Sequence, residues 1–133
     1  MASAEQLNHA GAFLRKAEEY LASADDNLVA ERHTAAAGDP IHVGISAKDA
    51  IVTALTGATR KSPDHATAAK ELKTTLGKRT DAAAAEKALR ELIGAKGDVE
   101  HGTALVTAGK AEPLIRRARL LLELAIQIVR LGS

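Results

Sequence analysis

Leu7, Leu14, Leu21 and Leu28 recur every seven residues, with Ala10, Ala17 and Ala24 between them. Each leucine returns to the same side of an α-helix after two turns and the alanines share that side, so the pattern predicts one long helix with an apolar packing seam. Ser3 and Gln6 in front of it form a capping-box pair. The helix is expected from about residue 4 to 35, with Gly38 ending it. A seam of this kind is buried only by other helices. Phe13 and Tyr20 flank it one heptad apart and read as core or interface residues.

The rest of the chain repeats that style. It has 29 Ala and 16 Leu among 133 residues, only two aromatics and no Cys or Trp, a composition that costs little side-chain entropy in helices. Asp39-Pro40 predicts the start of a second helix running to about Thr56 or Thr59, because Asp caps free amides and Pro suits the first helical position. Ser62-Pro63 repeats the signal for a third helix to Leu76, with Gly77 after it. A fourth helix starts near Thr80 or Asp81 and becomes irregular around Gly94 and Gly97. The fifth starts near Gly109 or Lys110, since an earlier start would put Pro113 beyond the first turn, and runs to Leu131. Its core face is Leu114, Ala118, Leu121, Ala125 and Val129. Leu120, Leu124, Ile128 and Leu131 form a second apolar face, for which another copy of the chain is the simplest partner. The expected fold is all-α, an up-and-down bundle of four to five helices forming a single domain over residues 1–133.

Several functional classes drop out. Without cysteine there is no disulfide framework, thiolate metal centre or cysteine nucleophile. The histidines His9, His33, His42, His65 and His101 show no metal-ligand spacing, so no metal is expected. There is no Gly-rich phosphate loop, no Rossmann fingerprint and no nucleophile elbow, so no cofactor is expected either. Leu120 to Leu131 is too short for a bilayer and contains Glu123, Gln127 and Arg130, so no membrane partner is expected. The first residues lack a basic cluster leading into an apolar run, which makes a cytoplasmic location the default expectation.

Charge and polarity single out the middle of the chain. The net charge is only +1, yet residues 56–79 hold 6 basic and 2 acidic side chains while residues 1–39 hold 3 basic and 7 acidic. A polyanion site should therefore involve the middle segment. The second helix also carries a polar stripe of His42, Ser46, Asp49, Thr53, Thr56 and Arg60 on one face. Small hydroxyls around one carboxylate suit a groove or a subunit contact, and a plain solvated face is the competing reading. At the end of that stripe stands Arg60-Lys61-Ser62-Pro63-Asp64-His65. Arg60 is an always-charged, planar phosphate binder. His65, near the third position of the next helix, feels the positive helix end disfavouring its imidazolium and Asp64 favouring it. A neutral imidazole can take the proton from an RNA 2′-hydroxyl attacking the adjacent phosphate, with Arg60 stabilising the developing charge. One His cannot be base and acid at once, so two such junctions facing each other in a two-fold dimer make a more complete site. On the residues alone, Arg60 and His65 also read as structural groups at helix ends.

An Arg, four residues and a His between the second and third helices of a small helical chain resemble the Arg-x(4 to 6)-His motif of the HEPN family (higher eukaryotes and prokaryotes nucleotide-binding domain). Ile45-Ser46-Ala47-Lys48-Asp49-Ala50, Ala95-Lys96 through His101-Gly102, and Leu105-Val106-Thr107 extend the resemblance over nearly the whole chain. It implies a helical bundle, a homodimer with facing motifs, and metal-independent endoribonuclease activity, in many members as toxins or antiviral factors. By that resemblance Arg60 stabilises the phosphate and His65 is the general base. From the polar stripe, Asp49 is expected to orient one of them, with Ser46, Lys61 and Asp64 in support. The residue after the motif arginine is often Asn, Asp or His in active members and is Lys61 here, a departure that bears on catalysis more than on binding. The resemblance also leaves a non-catalytic reading, a nucleotide-binding or interaction module partnering a minimal nucleotidyltransferase or an antitoxin. A third reading is a helical dimerisation domain whose Arg and His only cap helices.

Overall fold

The computed structural model describes residues 3–58 and 65–132, with His65 and Ala66 described in their backbone only. Among these residues there are helices and no strands: α1 (Ala4–Val29), α2 (His33–Thr56), α3 (His65–Leu76), α4 (Ala82–Gly94), a short α5 (Lys96–His101) and α6 (Ala108–Leu131). The chain is thus an all-α bundle of five longer helices with one six-residue helix added. The α1 capping box forms as expected, with the Ser3 side chain accepting from the Gln6 amide. Leu14 and Leu21 are buried along with Ala10, Ala17 and Ala24, so the middle of the heptad seam faces the core, while Leu28 is half-buried and Leu7 is 44% exposed. None of the helices is long and apolar enough to cross a membrane.

The first inter-helix turn lies elsewhere than expected. α1 ends at Val29, the chain reverses through Ala30 to Arg32, and α2 begins at His33, so Gly38, Asp39 and Pro40 sit inside α2. Glu31 takes the left-handed backbone conformation, with φ 61°, although nothing glycine-like marks the spot. The turn is tied by Arg32, whose backbone amide and Nε donate to the Asn27 carbonyl and Oδ1. Asp39 caps nothing; its Oδ2 accepts from Ser23 Oγ at 2.7 Å and Asn27 Nδ2 at 3.0 Å across the α1/α2 contact. Burial explains the override. Pro40 is fully buried and Ala36 and Ala37 are at 0% exposure, so the two turns before Pro40 are held by packing that offsets its missing amide.

α2 is the central element and touches every other helix. Its contact with α4 and α6 depends on Gly44, where an added Cβ would lie 2.8 Å from Leu92 Cδ1 and 3.2 Å from Leu89 Cδ1. Both leucines are fully buried, so they have little room to move aside. Gly44→Val is therefore expected to destabilise the bundle by about 1–3 kcal/mol. A urea titration would read this as a lower midpoint with unchanged slope, and an unchanged midpoint would show that the α2 contact is looser than described.

α6 starts at Ala108, slightly earlier than expected, and carries Pro113 within it. Leu114, Ala118, Leu121 and Ala125 are buried as the core face. The second apolar face is half covered by the chain itself. Leu124 and Ile128 are buried at 6% and 5%, while Leu120 and Leu131 remain 41% and 73% exposed. Arg119 with Asp25 and Arg130 with Glu18 tie α6 antiparallel to α1.

Candidate functional site along the polar face of α2

The α2 stripe lies between two walls. On one side is α1, whose Tyr20 ring stacks on the His42 imidazole with centroids 5.0 Å apart and 24° between planes. On the other are α5 and α3, with Glu100 Oε1 3.8 Å from His42 Nε2 and Glu71 reaching Lys48. The stripe is graded in depth: His42 is exposed, Ser46 and Asp49 are half-buried, Thr53 is buried and Thr56 is exposed again. The stripe is thus a polar face flanked by groups of α1, α3 and α5, and its Thr53 belongs to the core rather than to the surface.

Its centre holds a charged cluster absent from the sequence reading. Lys48 is 3% exposed, with its ammonium 3.4 Å from Asp49 Oδ1 and 3.2 Å from Glu71 Oε1. One cation in a stretch of Ala47, Ala50 and Ile51 was the available signal, since a lysine is rarely buried unless paired. Its partner Glu71 is far away in sequence, so no local spacing pointed to it. Lys48 joins α2 to α3 and thereby ties the two helices on either side of the Arg60 to His65 segment.

Burial pushes the Asp49 carboxyl above its usual value, against the pull of Lys48 and Lys16 and with the push of Glu71. A carboxyl with a raised folded-state pKa binds a proton more readily folded than unfolded, so its charge costs stability above the folded value and costs nothing below the unfolded one. Asp49→Asn should therefore raise the unfolding free energy at neutral pH, with the gain fading as pH falls toward the ordinary aspartate range. Parallel denaturant titrations at pH 7 and near pH 4 check this. A variant less stable than the parent at pH 7 would show that the Lys48 contact outweighs the burial cost.

The end of α2 is anchored as well. Gly57 closes it in the left-handed conformation, φ 76°, and its carbonyl accepts from the Gln6 side-chain amide of α1. Thr56 Oγ1 donates to the Val52 carbonyl and accepts from the Ala58 amide, continuing the order for one more residue. Arg60, Lys61 and Asp64 lie outside the described residues, as does the Ser62-Pro63 start signal. His65 is the first described residue of α3, which ends at Leu76 with Gly77 at φ 61°, as expected. Asp49 and Ser46 are described, and Asp49 contacts Lys48. Among the described residues, no group of three or more His, Asp or Glu side chains is arranged to hold a metal ion. Compared with models of known families, with curated proteins and with solved structures, the chain matches none.

Proposed function

We propose that this chain is a HEPN-like RNA-binding domain that pairs with a second copy and cleaves RNA without a metal through Arg60 and His65. The observation that carries the reading is the frame on either side of residues 59–64. Upstream, Gly57 and Gln6 lock the end of α2 onto α1. Downstream, α3 is described from His65 onward and is tied back to α2 by the contact of buried Lys48 with half-buried Glu71. Both helix ends that flank the segment are thus held to the rest of the bundle, which supports reading Arg60 and His65 as parts of one site. The exposed Lys70, Lys73 and Lys78 on α3 and the turn after it extend the positive stretch along which a phosphate backbone would lie.

In the proposed reaction the His65 imidazole takes the proton of a 2′-hydroxyl as that oxygen attacks the adjacent phosphorus. Arg60 holds the phosphate oxygens on which charge accumulates. The 5′-oxygen of the next nucleotide leaves and takes a proton from the second copy's His65 in its imidazolium form, leaving a cyclic phosphate. Cleavage of single-stranded RNA in excess chelator by the parent, Arg60→Ala and His65→Ala tests this. Loss of cleavage in both variants is expected, and equal activity in all three overturns it. No turnover by the parent, together with a stable complex with a nucleotidyltransferase or antitoxin protein, would establish the interaction-module reading instead.

A further inference from the structure

We propose that the Tyr20 and His42 stack at the far end of the polar face of α2 is a base-binding subsite for a single-stranded RNA, selective for amino-bearing bases. The proposal rests on the RNA reading above and adds to it a second, separate contact. Tyr20 is 38% exposed although the imidazole of His42 is stacked on it at 5.0 Å. The chain has one Tyr, one Phe and no Trp, and it spends its tyrosine at the mouth of a groove rather than in the core. That groove has a volume of about 380 Å³ and is lined by Lys16, Glu19, Tyr20, Ser23 and Asp39, which is within the size range of small-ligand sites.

The polar groups around the ring define what fits. Asp39 is held in place because its Oδ2 accepts from both Ser23 and Asn27. Its Oδ1 and the Glu19 carboxylate are then acceptors beside an aromatic platform. Carboxylates pair with the exocyclic N–H groups of cytosine, adenine and guanine, and they face an oxygen where uracil has no such group. Two carboxylates also weaken general attraction for phosphate, so the base rather than the backbone must supply the contact, with Lys16 the one cation of the groove. His42 lies about 21 Å along the helix axis from Thr56, at 1.5 Å per residue, on the stripe that leads to the Arg60 junction. A strand cleaved at Arg60 and His65 that followed the polar face of α2 would bring a base several nucleotides away onto Tyr20.

The single tyrosine makes the test direct. Tyr20 ring proton resonances are followed by NMR while the protein is titrated with a 2′-O-methyl oligonucleotide of roughly 8 nucleotides, a length that single-strand grooves occupy. The methyl group removes the attacking hydroxyl, so the ligand survives. A cytidine- or adenosine-containing oligonucleotide is expected to shift the Tyr20 resonances upfield and saturably, and an all-uridine one to bind several-fold more weakly. Tyr20→Ala and His42→Ala should each weaken binding on the order of 5- to 150-fold, while Tyr20→Phe keeps parental affinity. Retention by Tyr20→Phe separates lost stacking from a lost fold. If the parent cleaves RNA yet Tyr20 does not move and Tyr20→Ala binds equally well, the subsite is overturned and the cleavage reading stands. Shifts with CMP or AMP but not with the oligonucleotide would assign the groove to free nucleotides and overturn its place on the strand. A parent with no affinity for the oligonucleotides or the mononucleotides overturns the subsite outright.

Discussion

Exchanging His65 for Ala is expected to slow RNA cleavage by roughly 10²- to 10⁴-fold, the range that removing a general base produces, while leaving RNA affinity within a few-fold of the parent. Arg60→Ala should cost on the order of 10²- to 10³-fold, because it removes a charge aimed at the oxygens where the transition state accumulates its own. It should also weaken binding, since the same guanidinium contacts phosphate in the ground state. Arg60→Lys is the informative intermediate: the charge stays and the bidentate fork goes, so affinity should be kept better than rate. If the two residues act on one phosphate, the double variant should be little slower than the worse single one. Single-turnover cleavage of an end-labelled RNA in excess chelator separates these cases. Parental rates in Arg60→Ala and His65→Ala would assign any activity to other residues. Mixing Arg60→Ala with His65→Ala protein adds a geometric check, because a site shared between two copies allows partial complementation and a site within one copy allows none.

Lys48→Met carries the largest expected effect on stability. The ammonium is 3% exposed and within 3.4 Å of carboxylate oxygens on Asp49 and Glu71, whose side chains are 24% and 25% exposed. Met retains most of the apolar stem, so the loss isolates the charge. Two carboxylates then stand together in a poorly solvated site without their cation, and breaking a buried ion pair from one side costs about 3–5 kcal/mol. The low end, about 3 kcal/mol, is expected because each carboxylate keeps some water. In a chain of this size that is on the order of 10 °C in Tm, and a sizeable part of the total stability. Glu71→Gln placed in the Lys48→Met background should recover much of the loss, as a double-mutant cycle would show. A loss below about 0.5 kcal/mol, the scatter of ordinary surface changes, would mean that Lys48 does not tie α3 to α2. The same measurement bears on the Arg60 and His65 segment, since the Lys48 tie fixes the helix that begins at His65.

Much of the architecture was readable from local chemistry. The α1 seam, the Ser3 and Gln6 cap, the end of α2 near Thr56, the glycine after Leu76 and the start of α4 all depend on contacts within one helix or one turn. The break between α1 and α2 was not. Gly38-Asp39-Pro40 is a strong local stop-and-start signal, yet the chain turns at Glu31, because burying Ala36, Ala37 and Pro40 against the bundle outweighs it. The site divides the same way. The polar stripe of His42, Ser46, Asp49, Thr53 and Thr56 was visible from helical spacing, whereas Tyr20 and Glu100 beside His42, and Glu71 beside Lys48, come from other helices.

The sequence by itself determined the class of fold, the positions of most helix ends, the alignment of the α2 stripe and the concentration of positive charge in residues 56–79. These follow from periodicity and capping, which act over one or two turns. Only the tertiary structure decided that a lysine would be buried beside Glu71 of another helix and that the one tyrosine would stack on His42 at a groove. Each of those depends on which helix packs against which. That choice is made by burying a shared apolar surface, and it carries distant polar residues together without leaving any spacing between them to read.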